Sequence, residues 1–402
     1  MASRISAALL PAALIGTLAG CAADGPAPRT HDLPSHTAIA GEVARLMRRT
    51  QAQGLAVALI DEGRVVDLGA WGLRNAHGDP LDIDTVMYGA SLTKTVFAYT
   101  VMQLVDQGRL ALDTPLAADL DRPLPDYPAD ADLADKSGPY MDLADDPRWK
   151  TITPRMCLTH ATGLDNFRRI ELDRKLHIHF DPGTRFSYSG EGMNLLQFVV
   201  EHGRAAQGLG LDVGELAQAN FARLGMSRSK LTWRNGEDAD VADGWNDRGE
   251  PRPHDKRNKV RASGSMNTTI ADFARFAAAL ARGDGLSAAS RAEMTRPQMH
   301  IPTAHQFPHF APDAPAGSQR PDLYAGLGVI VFDGPQGPGF FKGGHDDQTA
   351  NTMVCVERGR RCAVILSNDV RAETAFADLV RFLLGDTGVP YDWEYGDYAG
   401  KS

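Results

Sequence analysis

Strand-like segments gather at the two ends of this chain with a long helical stretch between them, so any sheet must be assembled from pieces far apart in sequence. GLAVALI and RVVDLGAWGL are apolar runs joined by Asp61-Glu62-Gly63, a short polar link of hairpin type. AGLGVIVF, GFFKGG, TANTMVCV and RCAVILSN supply further strands near the end. RAETAFADLVRFLLGD then returns to helical spacing through Phe376, Leu379, Val380 and Leu383. Ahead of the first strand, Ile39, Val43, Leu46 and Met47 mark a helix over 36–52. A helical run opens at Ser91, with Phe97, Val101, Leu104 and Val105 on one side and Gly108 closing it. The pattern predicts one sheet, from residues 36–90 and 325–390, interrupted by a mainly helical part over 91–324.

With 402 residues, 43% of them hydrophobic, the chain buries a large core as one domain or two closely packed ones. A formal net charge of -9 leaves no basic stripe, which argues against nucleic acid or an anionic lipid surface as partner. Residues 1–20 read as a signal peptide: Arg4 precedes the apolar run ISAALLPAALIGTLAG, too short and too rich in Ala and Gly for a membrane span. Leu18-Ala19-Gly20-Cys21 resembles the bacterial lipoprotein signal, which implies lipidation at Cys21 and a tether over 21–35 before a folded domain at 36–402. Ala22 then favours the outer membrane, facing the periplasm, with the lipid as the only membrane attachment. In such a compartment disulfides persist. Cys355 and Cys362 flank VERGRR and fall opposite each other if Arg358 and Gly359 form the loop. A cross-strand disulfide is the expectation, two reduced buried thiols the alternative. Cys157, within TPRMCLTHATGL, reads as inert packing.

Two polar excursions, at 121–150 and 234–259, are too long for connectors and too polar for core. They read either as solvated loops or as the rim of a substrate cleft.

Ser91 and Lys94 form a Ser-x-x-Lys pair at a helix start, on one face within one turn. A serine hydroxyl attacks well only when something takes its proton, and a lysine held neutral can do so. The positive end of the helix disfavours an ammonium and favours an alkoxide. The pair alone is a weak signal: Ser227 and Lys230 repeat it in GMSRSKLTW with no helix behind, and read as surface. FDPGTRFSYSGEGMNLLQFVVE sets Tyr188 and Ser189 on a turn before a helix, where a phenol can face a cleft and relay protons. In FFKGGHDD, Lys342 offers a positive charge, and Gly343 and Gly344 let a substrate lie close to the strand.

Taken in order, Ser91-x-x-Lys94, Tyr188-Ser189-Gly190 and Lys342-Gly343-Gly344 resemble the three motifs of the class C beta-lactamase and D-alanyl-D-alanine carboxypeptidase-like serine hydrolases. LDTPLAADL, the segment around His160, SGSMNTTIADFARFAAAL and AGLGVIV extend the likeness over most of 40–385. The resemblance implies an α+β sandwich: an antiparallel sheet packed by terminal helices, an inserted helical domain, and the site at their junction. It also implies a mechanism in which Ser91 attacks, Lys94 and Tyr188 share the base role, and water hydrolyses an acyl-enzyme. The amide of Ser91 and one on the strand after Lys342 would form the oxyanion hole. Two departures stand out. Gly190 occupies the place of the Asn in the family's Tyr-x-Asn, so its side-chain amide is missing unless a neighbour such as Glu191 replaces it. His345 follows the glycines, and either it or Lys342 faces the substrate, with Lys342 preferred. Substrate binding is therefore expected at Lys342, Gly343, Gly344, His345 and Gly190.

The chain carries no Gly-x-Ser-x-Gly elbow of an alpha/beta-hydrolase. A metal site at His177 and His179, or at His345 beside two aspartates, finds no third ligand with convincing spacing, so no metal or cofactor is expected. The function expected is acyl transfer from a small-molecule or peptidoglycan-derived amide or ester. Gly190 leans it toward an esterase or peptidase over a beta-lactam resistance enzyme. The alternative is a lipid-anchored cell-wall binding protein without catalysis.

Overall fold

The computed structural model describes residues 32–128, 140–204, 211–233 and 240–396. Cys21, the signal segment and all but the end of the tether lie outside them.

Helix α1 (His36–Thr50) begins at Ser35, whose hydroxyl accepts the N–H of Ala38, and it buries Ile39, Val43 and Leu46. It leads into β1 (Gly54–Asp61) and β2 (Arg64–Gly72), joined by Glu62 and Gly63. Both linking residues take positive φ, 51 and 70, the twist that a two-residue hairpin turn needs. The rest of the sheet comes from β3 (Met299–His300), β4 (Tyr324–Ala325), β5 (Ile330–Gly334), β6 (Gly337–His345), β7 (Ala350–Val356) and β8 (Arg361–Ser367). These form one eight-stranded sheet in the order β2-β1-β8-β7-β6-β5-β4-β3, antiparallel at every pairing. The two ends of the chain thus meet where β1 pairs with β8, Val57 opposite Ile365. The sheet reaches further back in sequence than expected, because its edge strand β3 lies ahead of residue 325.

Alternation along the strands builds two cores. Leu55, Val57 and Leu59 of β1 join α1 and the helices α8 (Phe376–Leu384) and α9 (Tyr391–Tyr395) on one face. Ala56, Ala58 and Ile60 join the other core with the inserted part: α2 (Thr93–Asp106), α3 (Pro154–Leu158), α4 (Gly190–His202), α5 (Val213–Leu224), α6 (Ile270–Arg282) and α7 (Ala288–Thr295). The architecture is therefore α+β, helices on both faces of an antiparallel sheet, as expected.

Cys355 pairs with Cys362 across β7 and β8 and the two are bridged, with Cα atoms 4.1 Å apart. The turn closes through Arg360 N–H to Glu357 O at 3.0 Å. Cys157 is buried in α3, and burial pushes its thiol pKa up. The excursion at 121–150 departs from the sequence reading in its described part, since Leu124, Tyr140, Leu143 and Trp149 are buried in the insert's core. Widely spaced apolar anchors, too sparse to show a period, hold a polar loop down. The described part of the other excursion packs beside the end of β6: Arg257 lies 3.5 Å from the centre of the Tyr88 ring and 3.4 Å from Asp346.

Candidate active site

The junction of sheet and insert brings three distant segments together. Ser91 sits in the 3-10 turn Ala90–Leu92 that runs into α2. Ala90 takes φ 46, a conformation non-glycine residues rarely adopt, and the turn leaves Ser91 half-buried while Lys94 is fully buried one turn on. Lys94 Nζ lies 3.0 Å from Ser91 Oγ and 2.5 Å from the carbonyl of Ser263. Burial lowers the Lys94 pKa, with the Lys342 charge adding to the effect against the pull of Tyr188, so the neutral amine is easier to reach than in a free lysine.

Tyr188 arrives from the segment that starts α4. Ser189 caps that helix, its hydroxyl accepting the N–H of Gly192 at 2.9 Å. The Tyr188 ring lies between two lysines, with Lys94 Nζ 4.8 Å and Lys342 Nζ 5.1 Å from its centre, and its hydroxyl is within hydrogen-bonding reach of Ser91. Burial alone would raise the phenol pKa, but Lys342 first and Lys94 second pull it down to about 7. His160, at φ 57, packs its ring 4.4 Å from that of Tyr188, and its Nδ1 accepts the N–H of Ser189 at 3.1 Å. Burial and the two lysines hold the His160 pKa well below the usual range, which favours the neutral imidazole, and the same Nδ1 also lies 3.1 Å from the Ser189 carbonyl oxygen.

The third segment is the end of β6. β5 pairs with β6 only as far as Phe341, so among the described residues Lys342–His345 has no strand on that side, an edge along which an extended substrate can lie. A Cβ on Gly344 would stand 2.9 Å from both Ser91 N and Leu92 N and 3.0 Å from Gly89 O, so only glycine lets β6 meet the turn that carries Ser91. A Cβ on Gly343 would collide with Glu394 of α9 on the opposite face. His345, two residues on, shares that face: its Nδ1 lies 3.0 Å from Glu373, which raises the imidazole pKa against the lowering effect of burial. Lys342 therefore joins Ser91, Lys94 and Tyr188, while His345 is brought instead to Glu373 and to a groove of about 1080 Å³ that it lines with Phe307, Glu394 and Tyr395. Burial raises the Glu394 pKa to about 7 against the Lys342 charge.

Gly190 lies against Asn166, since a Cβ there would come within 2.5 Å of Asn166 O and 2.8 Å of Asn166 Oδ1. Glu191 does not supply the missing amide, being held by Arg168, whose N–H reaches Oε1 at 3.0 Å and whose guanidinium lies 3.3 Å from Oε2. Sequence reading assigned no role to Ser263, His160, Asn166 or Glu394. The segments holding Ser263 and His160 stood out only by likeness, and no local pattern marks the other two. Ser227 and Lys230 line a separate cavity of about 620 Å³, with Ser227 exposed. His179 Nε2 meets Glu171 at 2.5 Å, and their ligand atoms and that of Asp165 lie within 4.8 Å of one another; His177 pairs with Asp173.

The arrangement can remove a proton from Ser91 through an amine whose charge burial disfavours and a low-pKa phenol, with a lysine beside both.

Residues 39–386 match the model of the beta-lactamase family. A D-aminopeptidase of Brucella anthropi is 27% identical over 196 residues, 48% of this chain and 36% of that protein. A putative fimbrial assembly protein FimD, serogroup D, of Dichelobacter nodosus is 26% identical over 164 residues, 36% of this chain and 37% of its own length. The chain thus spans little more than a third of the length of these curated relatives. Among solved structures, the octameric penicillin-binding protein homologue from Pyrococcus abyssi aligns with TM-score 0.66 at 19% identity, over 88% of this chain and 78% of that one. The D-alanine carboxypeptidase AmpC from Burkholderia cenocepacia aligns with TM-score 0.64 at 16% identity, over 86% and 97%. At such identities the likeness is one of fold.

Proposed function

The chain belongs to the beta-lactamase family, and from that premise we propose that it is a serine hydrolase that passes through an acyl-enzyme on Ser91. The observation that carries this reading is the 3.0 Å contact between Ser91 Oγ and a fully buried Lys94 Nζ, with Tyr188 against both. Lys94 and Tyr188 take the Ser91 proton as its oxygen bonds to the substrate carbonyl carbon. The tetrahedral intermediate collapses, the proton passes to the leaving amine or alkoxide, and water repeats the sequence in reverse to free the acid. The Ser91 N–H, against Gly344, and an N–H of the β6 edge are suited to hold the oxyanion. Lys342 stands nearest of the β6 side chains to steady negative charge on the substrate, and its charge keeps Tyr188 acidic.

A protein that only binds cell-wall material has no use for a buried amine poised on a serine. The substrate is an amide or ester of small-molecule or peptidoglycan origin, a reading to which the D-aminopeptidase relative lends support. Turnover of a chromogenic ester and a chromogenic cephalosporin, beside Ser91→Ala, tests it. Consumption of either by the wild type, with a loss of at least about 10³-fold in the variant, is expected; equal rates in both proteins would refute the role of Ser91.

A further inference from the structure

Tyr88, just ahead of the turn that carries Ser91, bonds at both of its ends to segments that build the site. Its carbonyl oxygen accepts from Nδ2 of Asn351, a fully buried side chain of β7, at 3.0 Å. Asn351 stands opposite Gly344 in the pairing of β6 with β7, and Gly344 is the residue that lies against Ser91 N. At the other end the Tyr88 hydroxyl donates to the Gly264 carbonyl at 2.8 Å. Gly264 follows Ser263, whose carbonyl holds Lys94 Nζ. Met87–Tyr88 also pairs with Asn267–Thr268, and the Gly89 N–H donates to Met266 O at 2.8 Å. The chain ahead of Ser91 and the segment behind Lys94 are thus tied together.

Each bond supplies a restraint that the local chain lacks. Ala90, at φ 46, keeps its unfavourable conformation only if its surroundings hold it, and the Asn351 bond fixes the backbone leading into it. Gly264 has no side chain to limit its backbone, and the Tyr88 hydroxyl pins its carbonyl; on the other side the Ser263 N–H donates to Asn194 Oδ1 at 3.2 Å. The Ser263 carbonyl that holds Lys94 lies between these two anchors. Burial pushes the Tyr88 phenol pKa up to about 12 against the lowering effect of Arg257, so its hydroxyl remains a donor at any pH where Tyr188, near 7, exchanges its proton. Arg257 covers the Tyr88 ring and reaches Asp346 at the end of β6, which joins the third motif segment to the same residue.

We propose that Tyr88 is a positioning residue: by tying the turn that carries Ser91 to the carbonyl that holds Lys94, it sets the separation of nucleophile and base. This rests on the reading of Ser91 as nucleophile and Lys94 as its base. Tyr88 acts through the backbone of Ser263 and Gly264 and gives up no proton itself.

The test is Tyr88→Phe, which keeps the ring under Arg257 and the carbonyl bonded to Asn351 and removes only the hydroxyl. Tyr99→Phe is the control: it deletes another hydroxyl, on α2, one that bonds Asp284 O at 2.6 Å beyond the end of α6. The rate of Ser91 labelling by a fluorophosphonate is followed against the concentration of the probe. Tyr88→Phe is expected to lower the maximal rate by about 10- to 100-fold, the scale of a misplacement of up to about 1 Å between reacting groups, with half-saturation unchanged. Tyr99→Phe should label as fast as the wild type. Calorimetry should place both variants within about 3 °C of the wild-type Tm, the shift that loss of one hydrogen bond implies. A maximal rate at the wild-type level in Tyr88→Phe, an equal loss in Tyr99→Phe, a change in half-saturation alone, or a loss accompanied by a far lower Tm would overturn the role of Tyr88. Failure of the wild type to label would instead remove the nucleophile, and with it the reading on which that role depends.

Discussion

Two lysines and a tyrosine share a small volume around Ser91, and that crowding generates the reactivity. Lys94 is made a base because burial and Lys342 disfavour its ammonium, and Tyr188 is made an acid because Lys342 stays close. The two groups titrate as a pair, so the observable is a macroscopic pKa. Because the proton must leave the pair before it can accept one from Ser91, kcat/KM should rise with pH, with unit slope below an apparent pKa near 7 set by Tyr188, and level off above it. Tyr188→Phe should lower kcat by about 10²- to 10⁴-fold and displace that limb. A profile flat from the acid side through neutrality would contradict the assignment. At this scale Ser91, Lys94, Tyr188 and Lys342 were legible because each lies in a short motif whose spacing has a chemical reason. Ser263, His160 and Asn166 were not, since they act through a carbonyl, a ring face and a volume beside Gly190, none of which leaves a local pattern.

Elements read from period and turn chemistry held where they are long: α1, the β1–β2 hairpin, α2 and the β7–β8 hairpin all stand where apolar spacing put them. The misses are short. β3 has two residues, too few to show alternation, yet it closes the sheet edge ahead of the expected boundary. The 121–150 segment conceals its buried Leu124, Tyr140, Leu143 and Trp149 among charged residues. The β7–β8 hairpin also carries the Cys355–Cys362 bridge, on the face that packs against the insert. Closing so short a loop stabilises by about 2 kcal/mol in the chain-entropy picture. Cys355→Ala with Cys362→Ala should therefore lower Tm by roughly 3 °C, read by calorimetry, with activity retained because neither residue touches the site. An unchanged Tm would mean that the tight turn and the strand pairing already hold the hairpin without the bridge.

At the scale of the molecule, the sheet is a clamp: strands from the two ends of the folded chain meet within it where β1 pairs with β8, and the insert hangs from it with the site at the seam. None of the described helices is long and apolar enough to cross a membrane. Attachment, if Cys21 is lipidated, rests on that residue; expression of the full chain in a bacterial host should then place it in the outer-membrane fraction, with Cys21→Ser releasing it to the soluble fraction. Equal distribution of the two proteins would refute the anchor. The seam matters most at Ser91, where all three motif segments converge. Its role is tested most directly by mixing the folded domain with a penicillin, quenching in acid and measuring intact and peptide mass. An adduct equal to the whole penicillin on the peptide that contains Ser91, absent in Ser91→Ala, is the predicted result. An adduct on another residue, or a Ser91→Ala protein that acylates as fast as the wild type, would contradict it.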